Sequence, residues 1–129
     1  MIADRDAQIL QHIVNYCDQI DKTIGFWGKN EKLFGGNFIY QNAISMPLLS
    51  IGELANHLSK EFTDAHRKIP WREIVDMRNL FAHGYHTMEP QTIWDTAVSD
   101  VPQLNEFCRS VLEKENIPIP SAKEISEEG

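Results

Sequence analysis

Apolar residues recur at helical spacing along most of the chain. Leu10, Ile13, Cys17, Ile20 and Ile24 alternate steps of three and four, and Ile9 and Val14 widen the stripe. This predicts a long amphipathic helix from about Asp4 to Ile24, with Asp4 and Asp6 suited to its positive N-terminal end. The segment "GFWGKNEKLFGGN", residues 25–37, holds four glycines and reads as a loop, with one short helical turn around Glu31 to Phe34. A second long helix is expected from about Phe38 to Leu58 or Phe62, through Ala43, Ile44, Leu48, Ile51 and Ala55. Pro47 violates it. An internal proline removes a hydrogen bond and crowds the carbonyl four residues back, at about 3 kcal/mol, so either the helix kinks there or a helix starts near Ser45.

"KIPWREIVDMRNLFAH" predicts a further helix, begun by Pro70 and stopped at Gly84. At roughly 100° per residue, Trp71, Ile74, Val75, Phe81 and Ala82 gather on one side, with Met77 at the edge. Arg78 falls in the middle of that apolar stripe. Another helix begins near Glu89 or Pro90 and carries Ile93, Trp94, Ala97 and Val98, and "SDVP" punctuates it. The last runs from about Val101 to Glu115, with Leu104, Phe107, Cys108, Val111 and Leu112 on one face. No stretch reads as a β-strand and nothing repeats. The expected fold is all-α, an antiparallel bundle of four to five helices over residues 1–116, followed by an acidic, mobile tail at 117–129.

A chain of 129 residues, 42% hydrophobic and 24% charged, suits one globular domain with one core. It has no apolar run near the roughly 20 residues of a membrane span, and its N-terminus lacks the layout of a secretion signal. Cys17 and Cys108 lie far apart inside helical patterns, which reads as buried reduced thiols and a cytoplasmic protein. The net charge of −7 argues against broad electrostatic binding of nucleic acid. Any contact with RNA must be local or assisted by a partner.

Burying an unpaired guanidinium costs several kcal/mol, so Arg78 needs partners. It either forms an internal salt bridge, for instance to Glu53 or Asp76, or faces a second subunit or an anionic ligand. His83 lies five positions on, about 140° around the helix, so one helix does not present both groups to one small target. Two copies crossing at a two-fold axis would place Arg and His from both chains around one cleft. An arginine that grips phosphate and a histidine at a helix C-terminus are the groups that RNA cleavage without metal requires. Asp76 could hold the His83 ring, or simply face solvent. His83 and His86 make an H-x-x-H pair, but Gly84 separates them and no carboxylate or cysteine completes a set, so no metal site and no cofactor are expected. His12, His57 and His66 read as ordinary surface or boundary residues, and the three tryptophans as core or interface.

"RNLFAHGY" matches the R-x(4)-H-x-Y motif of HEPN-domain ribonucleases, and the chain resembles in particular the HepT-like toxins of HepT/MntA toxin–antitoxin pairs. "LLSIGELANHLSKEF", "IPWREIVDMRN" and "IWDTAVSDVPQL" are similar to the segments around that motif, so the resemblance covers roughly residues 38–112. It implies a homodimer that acts as a metal-independent endoribonuclease, with the site in the cleft between two bundles. Arg78 and His83 would be the catalytic pair and Asn79 would orient the site. Tyr85, otherwise a plain capping aromatic, matches the tyrosine to which a partner nucleotidyltransferase antitoxin attaches AMP, silencing the toxin. The alternative is a non-catalytic HEPN module that partners a nucleotidyltransferase. The glycine-rich 25–37 loop matches no family feature, and neither does Pro47.

Overall fold

The computed structural model of the chain describes residues 2–120, and these are all-helical, with no strand among them. Four helices of 14 residues or more form the bundle: α1 (Asp4–Trp27), α3 (Phe38–Ala55), α5 (Trp71–Gly84) and α7 (Val101–Lys114). Three short ones join them: α2 (Glu31–Gly35), α4 (Lys60–Ala65) and α6 (Pro90–Asp95). Among the described residues there are seven α-helices in place of the four to five expected, because the connections carry helical turns of their own.

Local chemistry sets the boundaries. α1 runs three residues past Ile24 and stops at Gly28, whose φ of 98° is a conformation that side chains other than glycine's rarely adopt. Asn30, Asn37 and Ser59 cap α2, α3 and α4, each side-chain oxygen accepting from backbone N–H groups of the first turn. α3 passes through Pro47 without ending and stops at Ala55, short of both Leu58 and Phe62; the Ser59 cap opens a separate helix that buries Phe62. "SDVP" does not break the chain. Thr96–Asp100 forms a widened π turn in which Val101 N–H donates to the Thr96 carbonyl, and α7 follows directly. A proline ring at 102 would crowd the carbonyl four residues back in a regular helix, and the wide turn moves that carbonyl aside.

The long helices alternate in direction. Tyr40 donates its hydroxyl to the Gly28 carbonyl at one end of the α1–α3 pair, and Asp6 accepts from Ser59 at the other. Asp18 binds Arg109 and Asn105, while Ile2 donates to Glu115, so α7 is antiparallel to α1. Between them lie Leu10, Ile13, Val14, Cys17, Ile20, Phe34, Tyr40, Ile44, Cys108 and Leu112, all essentially sealed from solvent. Burial pushes the Tyr40 phenol above its ordinary value. Both cysteines are buried and free, as the sequence suggests.

Past α7, Asn116 takes a left-handed conformation with φ of 57°, and Ile117 N–H returns to the Leu112 carbonyl. The chain then lies along α1: Gln11 donates to the Pro118 carbonyl at 2.9 Å, and Ile117 and Ile119 pack on the core. Residues 117–120 thus join the bundle, and the remainder of the expected tail lies outside the described residues. Among the described residues no helix is long and apolar enough to cross a membrane.

Candidate functional site

α5 lies at the edge of the bundle. Its main neighbour is α3, and α7 reaches its first turn, where the Trp71 ring lies 5.9 Å from that of Phe107. The stripe predicted to be core is therefore only partly covered: Phe81 is buried, while Trp71, Ile74, Val75 and Met77 are half-buried and Ala82 is exposed. Ala82, expected on the core side, lies in solvent instead. A stripe wide enough for two neighbours packs mainly against one, and its far flank stays open.

The α3–α5 contact is close because α3 offers a glycine. A Cβ placed on Gly52 would fall 2.5 Å from the Arg78 Cβ and 3.0 Å from the Ile74 carbonyl oxygen. Directly beside it, Glu53 Oε2 accepts from Arg78 Nε at 3.0 Å and from Nη2 at 2.9 Å. Arg78 Nη1 donates to Asn79 Oδ1 at 2.8 Å. Of the two internal partners considered for Arg78, Glu53 is the one used, and Asp76 lies exposed on the outer face. The pair is not sealed: the Arg78 side chain keeps 31% of its exposure and Glu53 45%. A guanidinium has five N–H groups. Three are engaged with Glu53 and Asn79, which leaves two aimed at nothing within the described residues.

Two helical turns further along α5, on nearly the same face, Tyr85 opens a 3₁₀ turn, Tyr85–Thr87. The helix thus tightens after Gly84 rather than stopping in a glycine cap: Gly84 has a negative φ of −151°, not the left-handed conformation of such a cap, and Thr87 donates to its carbonyl. Tyr85 donates its hydroxyl to Asn42 Oδ1 of α3 at 2.6 Å, and its ring lies 5.7 Å from that of Phe81. Asn42 is a residue that sequence reasoning missed. The signal was present: Phe38, Asn42, Met46, Leu49 and Glu53 follow at steps of four, four, three and four, which places Asn42 and Glu53 on one face of α3.

His83 is exposed and has no hydrogen-bond partner among the described residues. One protomer therefore gathers Arg78, Asn79 and Glu53 at one point and Tyr85 with Asn42 at a second, and leaves His83 on another face of α5. His86 is exposed in the 3₁₀ turn. Among the described residues no group of three or more His, Cys, Asp or Glu side chains is placed to hold a metal. A groove of about 630 Å³ between α1 and α7 is lined by Cys17, Asp21, Lys29, Glu106 and Arg109 among others, and contains none of the motif residues. Its arginine is bound to Asp18 at 2.6 Å and to Asn105 at 3.1 Å, a structural tie between helices. Volume alone does not make it the site.

Around this geometry the chain carries large exposed apolar residues: Phe38, Ile39 and Met46 on α3 and Leu80 on α5. The family profile described as Ribonuclease HepT-like matches residues 13–111. A protein of Caldanaerobacter subterraneus subsp. tengcongensis, named as a candidate RNase, is 31% identical over 106 residues, covering 82% of this chain and 93% of its own length. A Thermococcus cleftensis protein named as a candidate ribonuclease HepT is 34% identical over 64 residues, which are 50% of this chain and 58% of that one. A Methanocaldococcus jannaschii protein named for a gamma-glutamylcyclotransferase and a candidate RNase is 27% identical over 111 residues. That stretch is 85% of this chain and about half, 49%, of the longer relative. No solved structure matches.

Proposed function

The chain belongs to the HepT-like ribonuclease family, and from that premise we propose that it is a metal-independent endoribonuclease toxin acting as a homodimer. The observation that carries this reading is Arg78, a guanidinium placed on an edge helix, held by Glu53 yet left with two unspent N–H groups. A phosphate fits such a half-committed arginine, because the remaining N–H groups can grip its oxygens. The open flank of α5 and the exposed Met46 on α3 beside it support a second copy lying against this face. His83 of one protomer would then approach Arg78 across the cleft, which resolves their divergence on a single helix.

In the reaction, the ribose 2′-oxygen bonds to the adjacent phosphorus and the bond from phosphorus to the 5′-oxygen breaks. His83 takes the 2′-hydroxyl proton or returns one to the leaving 5′-oxygen. Arg78 stabilises the charge on the phosphorane, with Glu53 and Asn79 fixing the plane of its guanidinium. No step requires a cofactor. The acidic net charge makes the RNA contact local, through Arg78 and its symmetry mate.

Tyr85 is the proposed acceptor of AMP from a nucleotidyltransferase antitoxin of the HepT/MntA kind. It follows Arg78 by seven residues on nearly the same face, so added nucleotide bulk and phosphate charge would lie beside the arginine and repel RNA. A second reading, a non-catalytic scaffold for a nucleotidyltransferase, is favoured by the Glu53 pairing, which partly neutralises Arg78, and by the net charge of −7.

Incubation of wild type and Arg78→Ala with total RNA in excess EDTA separates the two. Cleavage by wild type alone is expected. Equal inertness, after enzymatic removal of any nucleotide from Tyr85, supports the scaffold.

A further inference from the structure

Tyr85 is not simply displayed at the end of α5. Its hydroxyl lies 2.6 Å from Asn42 Oδ1, and its ring closes one side of a cavity of about 200 Å³ walled by Ser45, Met46, Leu49 and Phe81. An amide oxygen has no proton to give, so this contact exists only while the phenol keeps its own. Replacing that hydrogen by phosphorus removes the donor, so this bond is lost, and any new one needs the amide to turn its Nδ2–H groups toward the tyrosine.

We propose that Asn42 is a positioning residue that holds Tyr85 against α3, so that the tyrosine must be released before it accepts a nucleotide. The inference rests on the reading of Tyr85 as the AMP acceptor. In that transfer the phenol oxygen bonds to the α-phosphorus of ATP, the bond from this phosphorus to the pyrophosphate oxygen breaks, and pyrophosphate leaves. The phenol proton passes to a base of the transferase or to solvent. Asn42 is too weak a base to take it. The contact therefore opposes the transfer, and its strength sets how quickly Tyr85 is claimed. The unmodified tyrosine lies inward on Asn42 and Phe81; the modified one swings out and uncovers the apolar wall formed by Met46 and Leu49.

Asn42→Ala and Asn42→Asp move this contact in opposite directions. Alanine removes the acceptor, and an ionised carboxylate accepts more strongly than an amide. Two readouts on the full chain are needed. The first is iodination by limiting triiodide with peptide mapping, in which buried Tyr40 is the internal control; this reaction proceeds through the phenolate and needs no transferase. The second is the rate of mass gain with ATP and a HepT/MntA-type nucleotidyltransferase. At Tyr85 both rates are expected to rise about two- to tenfold in Asn42→Ala and to fall below wild type in Asn42→Asp. Thermal midpoints of all three proteins should agree within a few degrees.

Iodination of Tyr85 that is unchanged or slower in Asn42→Ala overturns the proposal. If the iodination order holds but the transferase adds nothing to wild-type Tyr85, the latch stands and the reading of Tyr85 as a nucleotide acceptor fails.

Discussion

Gly52 of α3 and Arg78 of α5 touch almost backbone to backbone: a Cβ on the glycine would lie 2.5 Å from the Cβ of the arginine. This closeness brings Glu53, the next residue, within 3.0 Å of the guanidinium. Gly52→Ala must therefore push the two helices apart. The expected cost is about 1–3 kcal/mol, the range for overpacking a tight contact. Denaturant titration measures it, and a stability equal to wild type would contradict the geometry. RNA cleavage should fall more steeply than stability, because the Glu53–Arg78 pair opens as the helices separate.

Arg78 and His83 point apart on α5, so the proposed site needs a residue from each of two chains. Arg78→Ala and His83→Ala, each inactive alone, should recover cleavage when mixed under conditions that exchange subunits. Half of the reassorted dimers carry both variants, and each of these holds one intact Arg–His pair, so roughly a quarter of wild-type activity is expected. No recovery, with exchange verified by native mass spectrometry, would place both groups in one protomer or abolish their joint role.

Asp6 is a buried carboxylate with a structural task. At 3% exposure, its two oxygens accept from Ser59 N–H at 2.9 Å and Ser59 Oγ at 2.6 Å, while Ser59 Oγ accepts from Phe62 N–H. It thus ties the start of α1 to the cap of α4. Asp6→Ala leaves those donors without their acceptor and should lower stability by about 1–3 kcal/mol. Asp6→Asn keeps an oxygen for the N–H and should lose less. Thermal melts of the two variants test the order.

Burial, reinforced by the Asp18 charge and opposed by Arg109, pushes the Cys17 thiol from 9.0 up to about 12. Burial, chiefly, and Cys17 beside it also raise Cys108. An unfolded chain releases these protons once the pH exceeds about 9, whereas the folded chain keeps them. The unfolded state then gains, so stability falls as pH rises above 9, and below 9 the thiols contribute no pH dependence. Guanidinium titrations at pH 8 and pH 10 should show a loss in wild type that shrinks in Cys17→Ala. Ellman's reagent should label neither thiol until the protein unfolds; labelling of the native protein within seconds would contradict the burial.

Much of the fold was legible in the sequence because helical periodicity is a local property. The stripe through Leu10, Ile13, Cys17 and Ile20 is buried as its spacing implies, and Phe38 begins a helix where the apolar run begins. Boundaries were less legible where two local signals competed. Ser59, an N-cap, outweighed the periodicity linking Ala55 to Leu58 and Phe62, and the π turn carried the chain through "SDVP". Arg78, Asn79, His83 and Tyr85 stood out as a motif, but spacing alone left the partner of Arg78 open between Glu53 and Asp76.

Periodicity determines which side of a helix is apolar; it carries no information about how many neighbours will be there to cover it. α5 packs mainly against one neighbour, and that circumstance of packing left Ala82 in solvent, kept Arg78 partly open and brought Glu53 and Asn42 beside the motif. The sequence by itself determined the helices, the family and the reactive residue types, since each is written in short-range pattern. Only the tertiary structure decided which carboxylate holds the guanidinium and which amide holds the tyrosine, because those partners lie 25 and 43 residues away along the chain.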